Sequence, residues 1–170
     1  MFYKFKFLLN PFILNNEYNS FEKYLKACNN TGYFYYAKNT TSKFPIISII
    51  SPVYNTGKFV LRLLRSIQFQ EFDDIEIILI DDCSKDNSSE LIKKYQEEDN
   101  RIQLIKSKRN KGTFASRIIG ILKSKGNYLI IPDSDDILLE NSLKYFYYFA
   151  KKYDIELLRC KSLMLIWETK

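Results

Sequence analysis

An α/β fold, with a mostly parallel sheet carrying helices on both faces and a short helical appendage in front of it, is predicted on three observations. From Phe44 onward, short β-branched runs alternate with stretches of helical period, the pattern of strands joined by helical crossovers. Before that point the texture differs, being rich in Asn, Tyr and Phe and poor in β-branched residues. Finally, each apolar run after Phe44 empties into polar or charged residues at its carboxyl end. With 170 residues, 46% hydrophobic and 27% charged, the chain has the length and composition of one globular domain with a real core.

The appendage is assigned to residues 1–43 and the α/β domain to 44–170. Met1 to Leu14 is basic and apolar, but Asn10 and Pro11 split it and no small-residue cleavage site follows. It reads as a docking arm or a peripheral membrane contact rather than a signal peptide. Phe21, Tyr24, Leu25 and Cys28 fall at i, i+3, i+4 and i+7, one stripe of a helix that begins near Asn19 or Ser20 and stops at Asn29-Asn-Thr-Gly32. The polar run Lys38 to Lys43 then joins it to the domain.

Within the domain, Ile46 to Ile50 is the first strand, and Lys58 to Phe69 a helix with Val60, Leu63, Leu64 and Ile67 facing the core. Ile75 to Ile80 is the second strand. Asn87 followed three residues later by Glu90 has the spacing of a capping box and opens a helix through Leu91, Ile92 and Tyr95. Ile102 to Ile105 is the third strand. The helix after Gly112 is expected to turn Phe114, Ile118, Ile121 and Leu122 inward and to end at Gly126. Tyr128 to Ile131 is the fourth strand, Leu143, Phe146, Tyr147 and Ala150 mark a last helix, and Ile155 to Leu158 a further strand. No apolar run reaches the roughly 18 residues of a membrane-spanning helix.

Composition excludes several chemistries. With no histidine there is no Ser-His-Asp or Cys-His catalysis and no His-ligated zinc. The 3 cysteines, Cys28, Cys83 and Cys160, are odd in number, far apart and free of any C-x-x-C pair, so neither a disulfide framework nor a metal clip is indicated. The expected setting is a reducing one, the cytoplasm or the cytosolic face of a membrane. A net charge of +6 favours anionic partners in general and, by itself, selects none.

Ligands of open parallel sheets bind beyond the carboxyl ends of the strands. After the first strand comes Ser51-Pro-Val-Tyr-Asn55, after the second Asp81-Asp82, after the third Lys106 to Gly112, and after the fourth Asp133, Asp135 and Asp136. A strand that delivers Asp133 and Asp135 at i and i+2 points both carboxylates to one face. Mg2+ and Mn2+ are held by one or two carboxylates completed by phosphate oxygens, which suits such a pair. The alternative is that these acids only form Asx turns ahead of the next helix. Tyr54 offers a plate for a planar base and Asn55 an Asx turn. Asp82 offers an acceptor for a base N–H, whereas Asp81 reads better as a cap on the turn Cys83 to Asp86. The basic loop Lys106 to Gly112 either draws in an anionic nucleotide or is simply solvated, and Arg117, one turn inside the third helix, is within reach of such a nucleotide's base or phosphate.

The order P-x-Y-N, D-I-E-I-I-L-I-D-D-C-S-x-D, N-K-G-x-x-x-x-R and P-D-S-D-D-I-L resembles the family 2 glycosyltransferases, over Pro45 to Cys160. The resemblance implies a GT-A, Rossmann-like fold and transfer of sugar from a nucleotide-diphospho-sugar, usually a UDP-sugar, with Mn2+ or Mg2+. The acceptor, a glycan, lipid or protein hydroxyl, is left open, and no nucleic-acid partner is implied. Position by position, Pro52, Tyr54 and Asn55 match the first nucleotide loop, Asp82 the uracil-binding aspartate and Arg117 the nucleotide-contacting arginine. Asp133 and Asp135 match the D-x-D pair, Asp135 as direct metal ligand and Asp133 as ribose or metal-water partner. Inverting members place a general base well beyond that pair in an acceptor-binding half. Here Asp154, Glu156 and Glu168 stand in no such motif, and the base is unassigned. The expectation is a chain without the acceptor half, either a piece of a longer transferase or a shortened paralogue that binds donor without completing transfer.

Overall fold

Isoleucine runs build the centre of the sheet. Ile47–Val53 (β1) and Ile75–Asp81 (β2) pair in parallel along their whole lengths, with Ile47 opposite Ile75 and Val53 opposite Asp81. Ile102–Lys106 (β3) pairs with β2, and Tyr128–Ile130 (β4) with β1 over Ile47 to Ile49. The computed structural model, which describes residues Pro45 to Asp154, thus holds a parallel four-stranded sheet in the order β3-β2-β1-β4. The sheet lies within one compact unit, whose described part runs from Pro45 to Tyr148.

Alternation along each strand sends side chains to two different layers. On one face Ile47, Ile49, Val53, Ile75, Ile77, Leu79 and Ile102 meet two crossover helices and the start of a third. Lys58–Gln68 (α1) contributes Val60, Leu63, Leu64 and Ile67, Ser88–Glu98 (α2) contributes Ile92, and Ser142–Tyr153 (α4) contributes Leu143. Each such side chain taken fully from water contributes about 1.5–3 kcal/mol, so this layer is the main core. On the other face Ile50, Ile78 and Ile80 lie under Thr113–Lys123 (α3), with Ile105, Ile119 and Ile121 packed around them.

Helix α3 corrects the expected inward set. Phe114 and Leu122 are each 78% exposed and Ile118 is 40% exposed, while Ser116 and Gly120 are the buried residues of the helix. The cause is close approach. A Cβ at Gly120 would stand 2.2 Å from Ile50 Cγ2 and 2.8 Å from Ile80 Cδ1, so the helix seats on the sheet through its smallest side chains. Of the expected set only Ile121 packs inward, joined by Ile119.

Smaller differences are local. β1 continues past Ile50 to Val53, so Ser51, Pro52 and Val53 are strand rather than loop. Pro52 is tolerated there because β4 stops pairing at Ile49, leaving no ladder partner for a donor on that side. Asn87 does stand at the start of α2, but its side chain makes no capping bond. Asp86 Oδ1 instead accepts the Ser88 N–H at 3.1 Å, so the capping box does not form. The remaining strands and helices lie within three residues of their expected limits. The appendage and the strand at Ile155 to Leu158 lie outside the described residues, among which no helix is long and apolar enough to cross a membrane.

Candidate functional site

Parallel pairing brings the carboxyl ends of β1, β2 and β3 side by side, and two backbone bonds carry the ladder past them. The Asp82 N–H donates to Val53 O at 2.8 Å and the Ser107 N–H to Asp81 O at 2.8 Å. Asp82 then points to the α3 face. The residue is 2% exposed, and its carboxylate accepts the Lys111 N–H at 2.9 Å and the Gly112 N–H at 2.7 Å. Burying a carboxylate is costly unless it is bonded, and here backbone donors at the amino end of α3 bond it. Gly112 reaches this position at φ +86, a region that favours glycine.

Asp81, one residue earlier, faces the opposite layer and does cap its turn. It accepts the Ser84 N–H at 2.9 Å and the Ser89 hydroxyl. Burial pushes its carboxyl up, but the Ser84 and Ser89 bonds and the charge of Lys106 outweigh that and hold it below the usual carboxylate range. Asn55, at φ 52, turns towards the same segment. Its Oδ1 accepts the Lys85 N–H at 2.7 Å and its N–H donates to Ser84 Oγ at 3.0 Å. The Thr56 and Gly57 N–H groups donate to Ser88 Oγ at 3.1 and 2.8 Å, so the loops after β1 and β2 are tied to each other.

A cleft of about 320 Å3 opens beyond these strand ends, lined by Pro52, Val53, Tyr54, Thr56, Asp82, Asn110, Gly112, Thr113, Arg117, Asp133, Ser134 and Asp135. Every residue singled out in the sequence as a donor or metal contact is on its wall except Asn55, which is spent on fastening the loop. Thr56, Thr113 and Ser134 had no individual signal, because each is a small hydroxyl residue of ordinary turn or helix-start type. Asn110 and Gly112 were visible only as part of the N-K-G run. Arg117 Nη2 donates to Asp133 Oδ1 at 2.6 Å, both side chains being partly exposed. Arg117 Nε and Thr56 Oγ1, in two of the residues that line the cleft, are buried without a hydrogen-bond partner.

The acidic segment differs from a strand. β4 ends at Ile130, and the Asp136 N–H donates to Asp133 O at 3.0 Å while Asp136 Oδ2 accepts the Asp133 N–H at 2.9 Å. Asp133 and Asp135 therefore share the cleft through a tight backbone turn that the Asp136 carboxylate braces, not through strand alternation. Asp135 is exposed and makes no hydrogen bond or ion pair among the described residues. No group of three His, Cys, Asp or Glu side chains able to enclose a metal occurs among the described residues. One free carboxylate beside a partly engaged one is still the donor set that Mg2+ or Mn2+ shares with phosphate oxygens, so the residues fit a cation completed by substrate.

Comparison with known proteins bears on this cleft. The sequence profile of glycosyl transferase family 2 matches residues 48–160. A glycosyltransferase of Streptococcus pneumoniae, GlyG, is 37% identical over 111 residues, 65% of this chain and 37% of that protein. An uncharacterized glycosyltransferase of Haemophilus influenzae is 40% identical over 100 residues, 59% of this chain and 40% of that one. Among solved structures, S. aureus TarS 1–349 in complex with UDP-GlcNAc superposes with TM-score 0.60 at 28% identity, covering 64% of this chain and 32% of that fragment. The mannosyltransferase PcManGT of Pyrobaculum calidifontis, in complex with GDP-Man and Mn2+, shares the fold with TM-score 0.54 at 19% identity, over 71% of this chain and 36% of that one. The chain thus spans about 32 to 40% of the length of these relatives. With the profile running from β1 through the acidic turn and beyond α4, the chain belongs to glycosyl transferase family 2.

Proposed function

We propose that this chain binds a nucleotide-diphospho-sugar, of the uridine class, in the cleft beyond β1, β2 and β4, and serves to transfer its sugar to an acceptor hydroxyl. The observation that carries this reading is the wall itself, where buried Asp82, Arg117 and uncommitted Asp135 line one cavity. Tyr54, 45% exposed, offers a plate for the base over the floor made by Pro52. The lone pairs that Asp82 has left accept the imide N–H of uracil. Arg117 gives its planar donors to the nucleotide, and Asp133, once released by it, accepts from a ribose hydroxyl or a metal-bound water. Asp135 is the direct ligand of Mn2+ or Mg2+, with Asp133 beside it. The cation, when bound, supplies charge neutralisation for the leaving diphosphate. The uridine class draws support from TarS, which binds UDP-GlcNAc. Exposed, unpaired Cys83 suits a reducing setting, the cytoplasm or the cytosolic face of a membrane.

A second reading is a module that binds donor without completing transfer. It is favoured by the carboxylates that the described residues bring to the cleft wall, Asp82, Asp133 and Asp135, each with another task and none left as a general base. The two readings separate when the chain is given UDP-sugars with Mn2+ and a mixture of glycan and lipid acceptors. Acceptor-dependent release of UDP supports transfer. UDP binding without release supports the module, and absence of UDP binding removes both.

A further inference from the structure

The outward face of α3 combines two features that the cleft does not use. Between Arg101 and Pro132 the chain contains no Asp or Glu, but carries Lys106, Lys108, Arg109, Lys111, Lys123 and Lys125 besides Arg101 and Arg117. Arg101 is engaged by Asp99 and Arg117 by Asp133; the others are exposed. Glu76 reaches this region from β2, but its carboxylate accepts the Ser48 hydroxyl and the Lys125 and Gly126 N–H groups.

Phe114, Ile118 and Leu122 step by four residues along α3, a stripe about 12 Å long. They lie opposite Ser116 and Gly120, the residues seated on the sheet. Leu129, in register with Ser48 and therefore on the face that α3 covers, adds a further side chain 42% exposed. The stripe cannot be turned into the core, since Gly120 leaves no room for a side chain beneath the helix. An apolar row with lysine or arginine at both ends is the pattern of a helix lying in a lipid interface, its apolar side chains entering the acyl boundary and its cations meeting anionic headgroups. Nucleic acid would use the cations and leave the aliphatic row without a role.

We infer that α3 docks this chain on an anionic membrane surface, with Phe114, Ile118 and Leu122 inserted and Lys108, Arg109, Lys123 and Lys125 on the headgroups. This surface is independent of the donor reading, because none of these residues lines the cleft.

Co-sedimentation of the full chain with vesicles of phosphatidylcholine, alone or containing phosphatidylserine, tests it. Binding is expected to the phosphatidylserine vesicles only, to weaken with salt, and to fall about tenfold or more in Phe114→Ser/Leu122→Ser and in Lys108→Glu/Lys123→Glu. All four positions are exposed, so circular dichroism should find these variants folded, and Ile118→Ser alone provides a smaller change in the same direction. The inference is overturned if the chain ignores anionic vesicles. It is equally overturned if the Phe114→Ser/Leu122→Ser variant binds them like the parent, which would assign binding to another segment, or if that variant retains full affinity for duplex RNA that displaces the vesicles, which would make the surface one for nucleic acid.

Discussion

Asp82 Oδ2 accepts the Gly112 N–H at 2.7 Å, so the carboxylate just past β2 also fixes the residue from which α3 starts. One buried group thereby holds two walls of the cleft in register. Asp82→Asn keeps the size but offers an amide in place of an acceptor pair that serves both Lys111 and Gly112. A loss of about 1.5–3 kcal/mol in urea unfolding is expected, together with loss of UDP binding. An unchanged unfolding midpoint would mean that the clamp contributes nothing.

Arg117 and Asp133 give the opposite combination. Their side chains are 37% and 55% exposed, so the ion pair contributes under about 1 kcal/mol. Arg117→Met should therefore unfold almost like the parent while UDP affinity falls at least about tenfold, equivalent to ~1.4 kcal/mol. Arg117→Lys, which keeps the charge without the planar fork, should fall between the two. Calorimetric titration beside a urea curve decides it, and equal UDP affinity in all three proteins would remove Arg117 from the donor site.

Gly120 carries a packing prediction. Gly120→Ala places a methyl against Ile50 and Ile80 at less than van der Waals separation, and should cost about 1–3 kcal/mol by overpacking. Thermal unfolding reads this directly. A neutral result would indicate that α3 can lift from the sheet without loss.

Acid should weaken the fold through two carboxylates. Burial raises the Asp99 carboxyl, but the paired guanidinium of Arg101, at 2.9 and 2.7 Å, holds it below its ordinary value, and Asp81 is likewise lowered. A carboxyl depressed in the folded state contributes stability that is fully present above the unfolded value of about 3.9 and is lost as pH falls through the folded value. Urea midpoints should thus be flat well above pH 4, as far as these two groups are concerned, and decline below it. Asp99→Asn should be less stable at neutral pH and show a shallower decline. A variant that keeps the parent's slope would assign the acid sensitivity elsewhere.

The sheet was legible because runs such as Ile75 to Ile80 are too apolar and β-branched to be anything but buried parallel strands. The cleft was legible because it gathers the residues just beyond those strand ends, so that Tyr54, Asp82, Arg117 and Asp133 could be placed together before any contact was known. Periodicity misled at α3. Phe114, Ile118 and Leu122 form the apolar stripe, but the side that packs is chosen by how close the helix axis comes to Ile50 and Ile80, and Gly120 sets that distance. Asn55 does fasten its loop, but through a partner that the sequence did not indicate. Its amide faces Lys85 across a tertiary contact 30 residues away in sequence, which no local motif records. The acidic turn was found through its residues rather than its geometry, since hydrogen bonds between Asp133 and Asp136 replace the strand that alternation assumed.

The claim that the cleft is a cation-assisted donor site is tested most directly by titrating UDP into the chain with and without Mn2+, and repeating this with Asp135→Ala. Asp135 is exposed and engaged with no neighbour among the described residues, so its removal should leave the fold intact and act on the ligand alone. The account predicts UDP binding that strengthens at least about tenfold with Mn2+, ~1.4 kcal/mol, and loses that gain in the variant. UDP binding that is indifferent to Mn2+, or a gain that survives Asp135→Ala, would contradict it.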